Sequence, residues 1–270
     1  MSRAVPRLAI AREDLGGGFL FVADSSGAAG GEVGCAAIVG IGLPDGYEAL
    51  MTPASVNARK RQELSDWVER RAPGAAARLR GVDQVHSAIV LHSVELRDGS
   101  RHEADGVCAS SAEDIPVVMA ADCAPVWLVD SSARVVALVH AGWRGTGGGI
   151  IEAGIRAVLS HGGRSERTVA AIGPHLQSCC FEIGPEVASQ FVGFTRPADV
   201  LLVERKRSDS VALDLAAAIA SRLRETGVRT IHAAEACTRC RADLLHSYRR
   251  NGKGGPLMAA LALLPQVDRP

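Results

Sequence analysis

The stretch Ile115–Gly145, IPVVMAADCAPVWLVDSSARVVALVHAGWRG, decides the fold. Short apolar runs bounded by turn residues read as buried strands. The sequence predicts strands over Ile115–Ala121, Val126–Val129 and Val135–Val139, with Asp130-Ser131-Ser132 as a turn. One strand runs into Asp122-Cys123 and another into His140. Strand ends deliver side chains to a shared rim, and loops there carry function. With the upstream His86 of Gln84-Val85-His86, these residues make a candidate His/Cys/His metal site. A thiolate and two imidazoles suit zinc, with copper as the alternative. Three protein ligands and an open position is the arrangement of a catalytic zinc, whereas a structural zinc is closed by four. Spacing alone also fits a small buried cysteine and two hydrogen-bonded histidines, because the trio contains no short-spaced ligand pair.

Outward from this stretch, Asn57–Arg71 reads as a helix with Leu64, Trp67 and Val68 on one face. Ser87–Leu96 alternates as a strand, and Asp98-Gly99 suggests a hairpin to a strand before Asp105-Gly106. Helices follow over Ile150–Leu159, Pro185–Phe191 and Leu213–Glu225, with strands at Thr168–Ile172, from Ile231, and at Leu257–Leu264. The first fifty residues are rich in Gly and Ala, with β-like runs at Leu8–Ile10, Phe19–Val22 and Cys35–Ile41. Strands and helices mix without strict βαβ alternation, which favours an α+β domain over a doubly wound sheet.

The chain has 270 residues, nearly half of them apolar, so it can bury a substantial core. Lys+Arg and Asp+Glu are both 30, and that balance argues against a nucleic-acid or anionic-membrane surface. No apolar run reaches the roughly 20 residues a membrane helix needs. The N-terminus carries no signal-peptide pattern, so a soluble cytoplasmic protein is expected.

Seven cysteines at irregular spacing do not suggest a disulfide framework. Most are expected to be small buried residues. Cys237-Thr238-Arg239-Cys240, with His246 beyond it, is a competing metal candidate but lacks a second CxxC. The adjacent Cys179-Cys180 reads as poor chelate geometry.

Other residues divide between chemistry and structure. Arg144 is a candidate anion ligand beside His140, and Arg249-Arg250 after Tyr248 is another. Asp105 and Asp122 are candidates to orient a ligand imidazole or to act as general acid or base, or else are ordinary turn residues. Gln84 binds either substrate or a backbone group, and Trp143 either stacks on a planar substrate or packs. Cys123 is also a candidate thiolate nucleophile with His140 as its base, the route of a cysteine hydrolase.

Gln84-Val85-His86, Ala104-Asp105, the segment from Ala121 to Val126, the segment from His140 to Gly145, Ile172-Gly173-Pro174, Phe181-Glu182-Ile183-Gly184, Cys237-Thr238 and Ser247-Tyr248-Arg249-Arg250 occur in the order expected of the YfiH-like, or laccase-domain, family. The chain resembles that family from about Asn57 to Leu264. The resemblance implies a single catalytic domain over 1–270, divergent at 1–50, with two mixed β-sheets packed between helical layers (α/β/β/α). It implies metal ligands at His86, Cys123 and His140, with zinc or copper bound. It implies catalytic roles for Cys123, Asp122, Asp105 and Arg144, and substrate binding by Gln84, Trp143, Arg59, Tyr248 and Arg249. The implied activity is phosphorolysis of purine nucleosides (adenosine, inosine, guanosine, methylthioadenosine) with adenosine deamination. Nucleoside and phosphate are then the partners, with no nucleic acid or membrane, and the protein a monomer or small homo-oligomer. Some relatives are instead peptidoglycan editing factors acting on a nucleotide-linked muramyl precursor. A laccase reading is weakest, because one mononuclear site cannot supply several coppers.

Overall fold

The computed structural model describes residues 48–264 apart from 53, 72, 101, 193–200, 205–210 and 235, with backbone alone at 48, 71, 201–204 and 263. Before residue 48 it describes the backbone of three strands, β1 (Arg7–Ile10), β2 (Phe19–Ala23) and β3 (Ala36–Val39), which form one antiparallel sheet. These coincide with the three β-like runs read from the sequence.

The strands that follow are β4 (Glu48–Met51), β5 (Leu79–Gly81), β6 (Val90–His92), β7 (Gly106–Ala109), β8 (Ile115–Ala120), β9 (Ala124–Asp130) and β10 (Val135–Ala141). Then come β11 (Val169–Ile172), β12 (Glu182–Ile183), β13 (Leu201–Glu204), β14 (Val211–Leu213), β15 (Thr230–Ala233) and β16 (Met258–Leu263). A six-stranded mixed sheet has the order β15-β11-β9-β10-β7-β6, and a four-stranded mixed sheet the order β4-β16-β8-β5. The helices are α1 (Arg61–Arg71), α2 (Trp143–Gly148), α3 (Ile150–Ser160), α4 (Pro185–Ala188), α5 (Leu215–Glu225) and α6 (Tyr248–Asn251).

Every residue of β9 and β10 is buried. Strands covered on both faces carry continuous apolar runs rather than alternating ones. Successive side chains nevertheless point to opposite faces. Ala124, Val126, Leu128, Val135, Ala137 and Val139 join one core with Ile151 and Ile155 of α3 and Ile219 and Leu223 of α5. Trp127, Val129, Val136 and Leu138 join a second core with Met51, Val118, Met258 and Ala260 of the four-stranded sheet. The far face of that sheet buries Ile115, Val117 and Leu261 against Leu64, Trp67 and Val68 of α1. The result is the four-layer order helix, sheet, sheet, helix.

The segment after His86 departs from the expected hairpin. Only Val90–His92 is strand, and it runs parallel to β7 rather than antiparallel. Ser93–Leu96 is instead a 3₁₀ turn. Its capping box explains the change: Glu95 accepts from the His92 N–H at 2.8 Å, and His92 Nδ1 accepts from the Val94 N–H at 3.3 Å. The buried Asp114 anchors the turn through Ser93 Oγ at 2.8 Å and Arg97 at 2.8 Å. Helices α1 and α5 begin later than read, α5 because Asp214 caps it by accepting from the Ala217 N–H at 2.8 Å.

Trp127 couples the two sheets. It is fully buried, and its Nε1–H donates to the Leu261 carbonyl of β16 at 2.9 Å. Trp127→Ala removes that bond and opens a void between the sheets. The expected loss is about 3–5 kcal/mol, read as a lowered denaturant midpoint in urea unfolding. A change under about 1 kcal/mol would mean that Trp127 does not join the layers.

Candidate metal centre

The strand register assembles the site. Ala141 pairs with Ala124 and His140 with Pro125, so the end of β10 lies beside Cys123, which immediately precedes β9. Val139 pairs with Gly106, and the His140 N–H donates to the Asp105 carbonyl at 2.7 Å. The Asp105 N–H in turn donates to the Ile89 carbonyl at 2.9 Å, which carries the His86 segment to the same sheet end. Four separate segments therefore converge at one end of the six-stranded sheet.

His86, Cys123 and His140 offer ligand atoms that lie within 4.8 Å of one another. Cys123 Sγ is 4.0 Å from His86 Nε2, and the two imidazoles meet edge-on with centroids 5.0 Å apart. His140 is buried, Cys123 half-buried and His86 exposed, so the trio opens to solvent on the His86 side. Gly142 makes the close approach possible: a Cβ there would lie 2.6 Å from Cys123 Sγ.

Asp105 is fully buried and holds the centre together. Its Oδ1 meets His140 Nδ1 at 2.9 Å, leaving Nε2 for the site. Its Oδ2 accepts from the Ser87 N–H at 2.5 Å, the Ser87 hydroxyl at 2.9 Å and the Val85 N–H at 3.1 Å, on either side of His86. One carboxylate thus orients one imidazole and fixes the loop bearing the other, as expected of the outer partner of a metal-ligating histidine. Burial opposes its ionisation, but the bonds from His140 and Ser87 outweigh that and hold it below the usual carboxylate range. It is an acceptor rather than an acid.

Burial also disfavours the Cys123 thiolate, but the His140 charge and hydrogen bonds from both imidazoles bring the thiol down to about 6. The reciprocal holds for His140, where burial is outweighed by the Cys123 thiolate and Asp105 and the imidazole rises to about 9. A thiolate and two imidazoles, one already oriented by a carboxylate, form a donor set that fits zinc.

The other sequence-derived residues fall around this centre. Asp122 does not meet an imidazole in its described hydrogen bonds. Its carboxylate accepts from the Thr238 hydroxyl at 2.5 Å and the Arg249 N–H at 2.7 Å. It therefore joins the α6 segment to the residue before Cys123. Arg249 donates to the Glu182 carbonyl at 3.2 Å and lies over the Phe181 ring. Arg144 is exposed and sits over the Trp143 ring at 4.2 Å. Tyr248 is exposed. Both ends of the Gln84 amide bond Met119, Nε2 to its carbonyl at 2.8 Å and Oε1 from its N–H at 2.6 Å, which makes Gln84 a strut to β8. Arg59 is exposed and donates to the Gly255 carbonyl at 3.2 Å.

Sequence reading passed over Ser87, Gly142 and Thr238. Gly142, between His140 and Trp143, carried a signal, since a glycine beside a ligand marks a close approach, and Thr238 stood in the Cys237-Thr238 motif. The reading of the cysteines also needs correction. Of the six described, Cys108 and Cys237 are buried, whereas Cys179 and Cys240 are exposed. Cys179-Cys180 and the CxxC pair, treated as separate, meet in space.

Fold and site together define a four-layer α/β/β/α protein with a candidate metal trio at a sheet end. The family described as multi-copper polyphenol oxidoreductase laccase matches residues 53–264, and the chain belongs to it. The resemblance drawn from the motifs therefore holds. A purine nucleoside phosphorylase of Clostridium acetobutylicum is 32% identical over 73% of this chain and 79% of its own length. Adenosine deaminase RL5, from an unknown prokaryotic organism, is 37% identical over 50% of this chain, which spans about half (52%) of that relative. The crystal structure of YlmD from Geobacillus stearothermophilus has the same fold, with a TM-score of 0.75 over 97% of this chain and 100% of that one at 24% identity. No helix among the described residues is long and apolar enough to cross a membrane.

The thiolate–imidazolium pair gives a direct test. In metal-free protein, carboxamidomethylation of Cys123 by iodoacetamide, followed by peptide mass analysis, should lose half its rate near pH 6, where an ordinary thiol would do so near 9. His140→Asn should move that midpoint upward. An unchanged midpoint in the variant would show that His140 does not hold the thiolate.

Proposed function

We propose that the protein is a zinc-dependent purine nucleoside phosphorylase acting on adenosine, inosine, guanosine and methylthioadenosine, with adenosine deaminase activity. The observation that carries this reading is the convergence of His86, Cys123 and His140, with His140 already oriented by Asp105. The names of the relatives, purine nucleoside phosphorylase and adenosine deaminase, supply the substrate class and with it the two partners, nucleoside and phosphate. Copper is the alternative metal for the same donors.

Zinc, when bound by these three residues, supplies Lewis acidity and lowers the pKa of water toward neutrality. The chain's own residues do the rest. Arg144 stands two residues beyond Gly142, which packs against Cys123, and the Arg249 N–H bonds the Asp122 carboxylate beside Cys123. Their guanidinium groups suit phosphate, which attacks the ribose C1′ as the bond from C1′ to the base nitrogen breaks. Holding phosphate against C1′ while positive charge develops on the sugar is catalysis by positioning and electrostatics. Trp143, Tyr248 and the exposed Val85 beside His86 offer apolar surface to a planar base. Asp105 positions His140, and Asp122 positions the Arg249 segment.

One observation favours a second reading. A lowered Cys123 thiol beside a raised His140 is also the pairing of a cysteine nucleophile and its base. Bound metal would occupy that thiolate, so protein isolated without metal and rapidly alkylated at Cys123 would favour a cysteine hydrolase.

Zinc-loaded protein incubated with adenosine should release adenine and ribose 1-phosphate only when phosphate is present, and inosine with or without it, as read by chromatography. Asp105→Asn should weaken zinc binding about 10–100-fold, with activity recovering at high zinc. Protein with stoichiometric zinc that yields neither free base nor inosine would overturn the proposal.

A further inference from the structure

The parallel pairing of β11 and β15 continues past both strands. His175 bridges to Cys237, and the Thr238 N–H donates to the His175 carbonyl at 3.0 Å. The loop leaving β11 and the loop leaving β15 therefore emerge together, at the sheet end that carries the His86 centre. The first loop contains Cys179 and Cys180, and the second Cys237 and Cys240.

All four sulfurs lie within 4.8 Å of one another. Cys179 is 3.8 Å from Cys180 and 3.8 Å from Cys240, and Cys180 is 3.5 Å from Cys240. Four sulfurs each about 2.3 Å from one zinc stand about 3.8 Å apart along the edges of a tetrahedron. A disulfide needs about 2.05 Å, and none joins the described cysteines. The spacing is that of a tetrathiolate before its ion.

Burial and the neighbouring sulfurs raise the Cys179 and Cys180 thiols, whereas Cys237 is lowered by the donors around it. Backbone N–H groups of Gln177, Cys240 and Arg239 reach the Cys237 sulfur, so the CxxC turn wraps its first cysteine with donors. Arg250 braces that turn, donating to the Thr238 carbonyl at 2.8 Å and the Arg239 carbonyl at 2.9 Å, and brings a positive charge to it. Apolar filling does not explain the cluster, because Cys179 and Cys240 are exposed. Four like-charged thiolates repel unless a cation sits among them.

We propose that Cys179, Cys180, Cys237 and Cys240 form a second metal site, a closed tetrathiolate site for a structural zinc. With four protein ligands it has no open position and takes no substrate. Its effect is on the neighbouring centre. Zinc there staples the β11 loop to the β15 loop, and the β15 loop presents the Thr238 hydroxyl to Asp122, the residue before Cys123. The staple thus fixes the wall that also carries Arg249. Binding displaces four thiol protons, so the site fills on folding under reducing conditions. The proposal stands apart from the assigned activity, since it uses none of the residues that would touch substrate.

The test counts zinc in the full chain. Protein produced with zinc, kept reduced and freed of loose metal is weighed by native mass spectrometry and assayed for zinc by elemental analysis. Wild-type protein should carry two zinc ions per chain, Cys123→Ala one, and Cys179→Ser/Cys240→Ser one. In Cys123→Ala, where the cluster is intact, cobalt should replace zinc and give the intense visible and near-ultraviolet bands of tetrahedral thiolate coordination. The four cysteines should resist alkylation until a chelator is added. Cys123→Ala protein that is folded by circular dichroism and fully reduced, yet binds neither zinc nor cobalt, would overturn the proposal. So would immediate alkylation of all four thiols in zinc-loaded protein, or a stable disulfide between Cys180 and Cys240 under the same reducing conditions.

Discussion

The pairing of β9 with β10 sets Ala124 opposite Ala141 and Pro125 opposite His140, and β7 adds Gly106 opposite Val139. That register places Cys123, Asp105 and His140 at one sheet end. A slip of one residue would turn every side chain to the other face. It would move Trp127 and Leu138 from the sheet–sheet core to the helix side, and Val126, Leu128 and Val139 the other way. The core between the layers therefore fixes the site. The bulky residues that enforce the register are also what make the strands easy to find.

The local conformations at the centre are costly and are held by named contacts. His86 and Asp122 have φ of 62° and 87°, in the left-handed region. Such non-glycine conformations cost about 1–3 kcal/mol each and persist only where the surroundings enforce them. At His86 the enforcing group is Asp105, which accepts N–H groups from the residues on both sides. At Asp122 the carboxylate is held by Thr238 and Arg249, and its own carbonyl accepts the Leu176 N–H at 2.9 Å. Gly142, having no Cβ, lets Cys123 approach. The centre is thus preorganised by groups that do not themselves contribute ligand atoms.

Much of this was legible in the chain. The apolar runs ending at Ala121 and Val139 named the strands, and the chemistry-bearing residues just beyond them, Cys123 and His140, named two of the trio. The hairpin after His86 was misread because alternation over Ser87–Leu96 looks like a strand, while the capping by His92 and Glu95 is a local competition that alternation does not register. Asp105 was legible as a candidate to orient an imidazole, but not as the group that also fixes the His86 loop, which depends on β6 and β7 lying side by side. The four-cysteine cluster was invisible for a similar reason: Cys179-Cys180 and Cys237 become neighbours only through the parallel pairing of β11 with β15. Short motifs report local chemistry, and ligands that meet across a sheet are reported only by topology.

The account stands on His86, Cys123 and His140 acting together as ligands. The most direct measurement is an anomalous difference map at the zinc absorption edge from crystals of the zinc-loaded protein. The account predicts a peak bonded to Cys123 Sγ at about 2.3 Å and to the two imidazoles at about 2.0–2.1 Å, with a further position open toward solvent. A fully zinc-loaded crystal with no peak among these three residues would contradict it.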